Sequence, residues 1–176
     1  PLLRERKDLK KQIKALEEQE ERSAEDEAKL SELREQLQAA EAKPLFKPIL
    51  GCEVYCARRS RFKKDANVPN PYRPNQSVDN SGWHLVLLAK DLTGYKNLIK
   101  MVSRSWIDGY YYRPRIDKEL LEAHHEGIIA SSACLGGEIP QHIMYGNIDE
   151  AEKSIEWFKG LFGDDFYLEL QRHKTD

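Results

Sequence analysis

The chain has 176 residues, enough for one domain with an appendage, and is nearly neutral, with 28 basic and 30 acidic residues. That balance excludes a chain-wide electrostatic footprint for nucleic acid, and no stretch is long and apolar enough for a membrane span. Three cysteines without framework spacing point to reduced thiols, and no signal-peptide pattern opens the chain, so a cytoplasmic protein without a membrane partner is expected. The chain starts at Pro1 rather than Met and stops just after a strand, which reads as a piece cut from a longer protein.

Residues 1–43 read as helical: roughly half are charged, and Gly and internal Pro are absent. Leu2, Leu9, Ile13 and Leu16 form one apolar stripe; Leu30, Leu33, Leu37 and Ala40 form another. Between them Glu17 to Glu27 is almost wholly polar, and Ser23 with Asp26 makes an N-cap pair for a second helix. A helical hairpin follows, with a single coiled-coil helix as the alternative because Leu2, Leu9, Leu16, Leu30 and Leu37 keep one heptad phase. Pro44 ends either form.

From Phe46 strands alternate with helices. Strands are predicted at 48–57, 84–89, 127–133 and 165–171, and helices at 94–107, 117–125, 138–145 and 148–161. Thr93, Asp117 and Asn147 stand at cap positions. The alternation predicts an α/β fold with a largely parallel sheet. Residues 63–82, rich in Asn, Pro and Gly, read as a long loop of the kind that is mobile or functional. Four strands are too few for a closed barrel, which takes about eight.

Five segments carry a family likeness. They are Phe46-Lys47-Pro48-Ile49-Leu50-Gly51-Cys52-Glu53-Val54-Tyr55, Trp83-His84-Leu85-Val86-Leu87-Leu88-Ala89-Lys90, Tyr111-Tyr112-Arg113-Pro114-Arg115-Ile116-Asp117, Ser131 to Pro140 around Cys134-Leu135-Gly136-Gly137-Glu138, and Phe166 to His173. The first reads as a covered strand with one embedded carboxylate, which needs a partner. In this order they resemble the polymerase-and-histidinol-phosphatase (PHP) domain at the N-terminus of bacterial replicative DNA polymerase III alpha subunits. The resemblance covers Phe46 to His173 and not the first 43 residues. It implies an incomplete PHP-type distorted (βα)7 barrel over residues 45–176, without its N-terminal and C-terminal strands. Residues 1–44 would be a charged helical hairpin or coiled-coil arm inserted ahead of it.

The resemblance also implies a metal cluster at the barrel rim, to which Glu53, His84 and Cys134 match. Carboxylate, imidazole and thiolate together suit zinc or a similar ion, whose bound water becomes a nucleophile near neutral pH. Each residue alone has a plainer reading: an ion-paired strand carboxylate, a hydrogen-bonded histidine, a small buried thiol. His84 would also stand at the wrong end of its strand if all strands ran parallel. Cys52 and Cys56 are excluded as a joint site, because four residues along a strand separate them by about 13 Å. They should face away from Glu53, packed under helices.

Arg58, Arg59, Arg61, Lys63 and Lys64 form the one dense basic run, either a nucleic-acid contact or a solvated loop edge. Tyr110-Tyr111-Tyr112 with Arg113 and Arg115 reads first as a turn that caps the barrel, and second as a single-strand platform. His124-His125 ends a charged helix and is assigned no catalytic role.

The leading expectation is thus part of the PHP domain of a replicative polymerase, acting on DNA with a proofreading exonuclease subunit and other replicase subunits. The resemblance implies zinc or manganese in the intact domain, with possible 3′–5′ exonuclease activity there, and magnesium for the polymerase. The carboxylates of nucleotide addition are not in this chain, and the chain alone is expected to be inactive and to hold no metal. Alternatives are a stand-alone histidinol-phosphatase-like phosphoesterase and a helical interaction module on an inactive scaffold.

Overall fold

A computed structural model describes residues 2–19 and 21–172; His173, which closes the last family-like segment, lies outside them. Contacts divide the chain into two compact units meeting at Pro48 and Ile49.

The first unit holds helices α1 (Leu2–Glu17) and α2 (Ala24–Ala42). They pack on each other, and Leu9, Ile13, Leu30, Leu33 and Ala40 are buried in a small core of their own. The break between them has a local cause. Ser23 accepts from the Asp26 N–H while the Asp26 carboxylate accepts from the Ser23 N–H, a reciprocal capping box that starts α2 afresh. Arg6 donates to the carbonyls of Ala40 and Glu41, satisfying groups that the end of α2 leaves open.

The second unit contains β1 (Gly51–Ala57), β2 (Pro69–Asn70), β3 (Arg73–Ser77), β4 (Gly82–Ala89), α3 (Leu92–Ile107), β5 (Arg115–Ile116), α4 (Lys118–His124), β6 (Ile128–Ser131), α5 (Glu138–Met144), α6 (Ile148–Phe162), a 3₁₀ turn (Gly163–Asp165) and β7 (Phe166–Tyr167). The main sheet runs β5-β1-β4-β6-β7, while β2 and β3 pair separately. The expectation of a largely parallel sheet is corrected. β4 is antiparallel to both β1 and β6, and only the outer pairs β1–β5 and β6–β7 are parallel. No helix lies between β1 and β4. A return without a crossover helix leaves antiparallel pairing as the accessible choice.

Alternation along β4 sorts the sheet into two faces. Trp83, Leu85 and Leu87 are buried, whereas His84, Val86 and Leu88 are only partly covered. The buried face meets Leu98 and Met101 of α3, Leu121 of α4, Ile139 of α5 and Phe158 of α6 in one core. Cys56 joins that core, and burial pushes its thiol well above the ordinary range. α3 is capped by the Asp91 carboxylate, which accepts from Gly94, so Thr93 lies inside the helix. Asp117 caps α4 as its position predicts, whereas Asn147 precedes α6 without a side-chain cap bond.

The loop read over residues 63–82 contains the β2–β3 hairpin and is tied down from below. The fully buried Arg115 guanidinium donates to the carbonyls of Gly109, Asp79, Arg61 and Lys63. Replacing Arg115 by Met leaves four carbonyls without this donor, and urea unfolding should show a loss of about 3 kcal/mol. The imidazole of His142 is buried 2.7 Å from the Tyr72 hydroxyl, and burial holds its pKa below the ordinary value. A histidine depressed in the fold stabilises fully above the unfolded value of about 6.5, and that stability is lost as pH falls through it toward the folded value. The melting temperature should therefore drop on acidification below neutrality. His142→Gln should flatten the drop and leave a residual slope from His124, whose imidazole burial also pushes down.

Candidate metal centre and adjoining cleft

The register of β1 on β4 builds the first part of the site. Tyr55 pairs with His84 and Glu53 with Val86, so Glu53 sits diagonally from His84 on the same sheet face. Diagonal neighbours are within reach for long side chains, and the Glu53 Oε1 lies 2.6 Å from His84 Nδ1. β1 is covered on one face only. Glu53 is 54% exposed at its side chain, which corrects the expectation of a fully covered strand with an embedded carboxylate. Because β4 runs opposite to β1, His84 at its start lies at the same sheet end as the later part of β1. The concern about the wrong strand end disappears with the parallel topology.

Cys134 arrives from the turn after β6. Ala133 takes a left-handed backbone (φ 58°), Gly137 donates to the Cys134 carbonyl, and the His84 N–H donates to the Gly136 carbonyl. This fastens the turn to the start of β4 and leaves Cys134 Sγ 3.4 Å from His84 Nδ1. The Gly136 N–H also points at that sulfur, at 3.4 Å. One oxygen of Glu53, one nitrogen of His84 and the sulfur of Cys134 lie within 4.8 Å of one another, and this is the one such metal-suited group found among the described residues. Donors sharing a tetrahedral zinc-like ion sit about 3.5 Å apart, given bonds of about 2.0–2.3 Å. The His84–Cys134 spacing already fits. The Glu53–His84 pair would open slightly from its 2.6 Å contact.

A cleft of about 720 Å³ abuts this cluster, with His84 and Gly136 in its wall. Arg58, Arg73 and Arg113 line it, and no carboxylate does. Arg58 stacks on Trp83, 3.4 Å from the ring centroid, and its Nε and Nη1 are buried without a hydrogen-bond partner among the described residues. Burial first and the neighbouring Arg73 second pull its pKa down to about 10. Arg113 donates to the Tyr55 hydroxyl, and Tyr55 stands edge-on to His84.

The basic run therefore does not act as one surface. Arg59 is paired with Asp79, and Arg61 is buried against Asp117. Lys63 and Lys64 are exposed, while only Arg58 enters the cleft. Arg73 and Gln76 escaped the sequence reading because they sit in the stretch taken as a loop. The Tyr110 ring stacks on Trp106, and Tyr112 rather than Tyr110 reaches the cleft.

Glu53, His84 and Cys134 thus converge on the open face of a mixed α/β sheet. The chain belongs to the PHP domain family, with the match running over residues 8–173 and so opening well ahead of Phe46. DNA polymerase III alpha subunits are among its relatives. The one from Borreliella burgdorferi is 49% identical over 128 residues, covering 73% of this chain and 10% of that protein. Those from Thermus aquaticus and Aquifex aeolicus are 44% and 45% identical, each over 72% of this chain and 10% of the relative. The chain thus spans about a tenth of the length of these relatives.

A Cβ on Gly136 would stand 2.9 Å from the His84 ring. Gly136→Ala should displace the imidazole without removing a donor, and cobalt titrated into the variant should bind about tenfold more weakly, the lower end of what mispositioned ligands cost.

Proposed function

We propose that this chain is part of the PHP domain of a replicative DNA polymerase III alpha subunit, and that Glu53, His84 and Cys134 are metal ligands of that domain. The observation that carries the reading is the convergence of three chemically different donors, from two strands and a turn, at positions matching the family's motifs. An ion held there, zinc or manganese, would supply a hydroxide nucleophile for phosphodiester hydrolysis in a 3′–5′ exonuclease reaction.

The chain's own residues set the limits of that chemistry. Glu53 contributes negative charge at an open, solvent-reachable edge. Cys134 contributes a sulfur, which accepts a hydrogen bond from the Gly136 N–H. His84, fixed through its own backbone and by Glu53, presents Nδ1 to both. Three donors fall short of the four that a closed zinc site takes, so binding by this chain alone should be weak and hydrolysis absent. Within the whole subunit, DNA is the substrate, magnesium serves nucleotide addition elsewhere, and a proofreading exonuclease and other replicase subunits are partners in the cytoplasm. The stand-alone phosphoesterase reading has no comparable support, since the relatives named above are polymerase subunits. The N-terminal hairpin, with its own apolar core, reads as an inserted interaction arm.

Two measurements test the proposal. Cobalt bound to the chain should show a thiolate charge-transfer band that vanishes in Cys134→Ala; a band unchanged in that variant refutes the ligand set. In the intact subunit, Glu53→Ala should abolish metal-dependent exonuclease activity of this domain and leave nucleotide addition intact, because the two chemistries occupy different modules.

A further inference from the structure

The cleft beside the metal cluster combines three features that the metal reading does not use. Arg58 and Arg73 face the same space, where Arg73 disfavours the charge on Arg58, and no carboxylate lines that space. Two buried nitrogens of Arg58, Nε and Nη1, lack an acceptor among the described residues, although a buried guanidinium ordinarily finds one. Stacking on Trp83 fixes the plane of that guanidinium without neutralising it. Unbalanced cations around a pre-formed cleft are what an anion with several acceptor oxygens would satisfy, and a phosphodiester matches the planar fork of arginine.

The third feature is Tyr112. Its backbone is held at φ 59°, in the left-handed region that a bulky residue rarely adopts. The Tyr111–Arg113 bridge closes the turn beneath it, and Tyr111 meets its ring edge-on at 4.8 Å. The residue is 66% exposed on the cleft wall. A strained turn presenting a flat aromatic face next to arginines supplies both halves of a nucleotide platform. Paired bases in a duplex are stacked and closed to such a ring, whereas an unpaired base is free to lie on it.

The geometry points to a cleft that holds single-stranded nucleic acid without metal, Arg58 and Arg73 gripping a backbone phosphate and Tyr112 stacking an unpaired base. The strand would lead toward His84 and the cluster it shares with Glu53 and Cys134. In that placement the inference rests on the function proposed above, yet the holding step needs no ion.

Fluorescence anisotropy of a labelled oligothymidylate, titrated with this chain in EDTA at low salt, reads the holding step directly. Arg73 is exposed and its side chain makes no hydrogen bond or ion pair among the described residues, so Arg73→Ala should fold normally and weaken binding about tenfold through the lost phosphate contact. Tyr112→Gly should weaken binding about tenfold, the scale of one lost stacking contact, while melting no lower than the parent because glycine accepts the positive φ. Lys153→Ala, at the exposed flank of α6, should change binding less than about twofold, since it lies outside the cleft. Arg73→Ala and Tyr112→Gly both binding like the parent would overturn the proposal. So would a duplex of the same length binding as tightly with the same variant pattern. Inorganic phosphate displacing the strand as effectively as unlabelled oligothymidylate would reduce the cleft to a plain anion site and likewise overturn it. Because EDTA removes ions, failure here leaves the metal reading intact, and an unaltered cobalt band in Cys134→Ala leaves the holding cleft intact.

Discussion

The site depends above all on the antiparallel register of β1 against β4. Seven residues pair from Gly51 on Leu88 to Ala57 on Gly82. A slip of one residue would turn Glu53 into the core beneath the helices and carry Val54 to the open face. The register is held by burial, since Val54 and Cys56 on one strand and Leu85 and Leu87 on the other share the core with α3 and α6. Gly82 adds a steric lock, because a Cβ there would strike the Cys56 backbone. Stability and chemistry are therefore linked: the apolar residues that hold the sheet are what keep Glu53 and His84 diagonal neighbours.

Charge in the segment after β1 is divided by the same logic. Asp79 and Asp117, both buried, need cations, and they take Arg59 and Arg61 respectively. Asp79 stays ionised below the usual carboxylate range because Arg59 and the Asp65 N–H outweigh the effect of burial. Arg115 beneath them binds backbone carbonyls instead of a carboxylate, which fixes the loop without cancelling its charge. Of the three arginines in this run, Arg58 is the one left over. It lies on Trp83 at the cleft wall, so its positive charge appears beside the candidate metal cluster.

Local signals made much of this legible in the sequence. The helix periods of 94–107 and 148–161 mark α3 and α6 to within two residues, and Asp117 announces α4 because its carboxylate can reach the Leu120 N–H. Strand direction was not legible. Alternating elements usually signal crossover connections, but β1 returns to β4 through a hairpin, and no local pattern encodes that. β5 was missed because a two-residue strand has no period. Within the candidate site, Glu53, His84 and Cys134 were found through family-like motifs, since none stands out by spacing. Arg73 carried no signal at all; its importance exists only once the β2–β3 hairpin folds it toward Arg58.

Two strained residues bear on how the candidate cluster and the adjoining cleft keep their shapes. Ala133 and Tyr112 are the non-glycine residues with positive φ among those described, and each costs about 1–2 kcal/mol relative to an ordinary backbone. Each immediately precedes a residue of the site, Cys134 in one case and Arg113 in the other. Ala133 is buried, so neighbours hold its conformation; the Tyr111–Arg113 bridge does the same for Tyr112. Glycine at either position would adopt the turn without strain but would let the following residue wander over a wider arc. A side chain forced into a left-handed turn by its surroundings is a stiffer hinge. Stiffness at these two points fixes the sulfur against His84 and the Arg113 guanidinium against Tyr55, so the candidate cluster and the cleft beside it are set by the same backbone device.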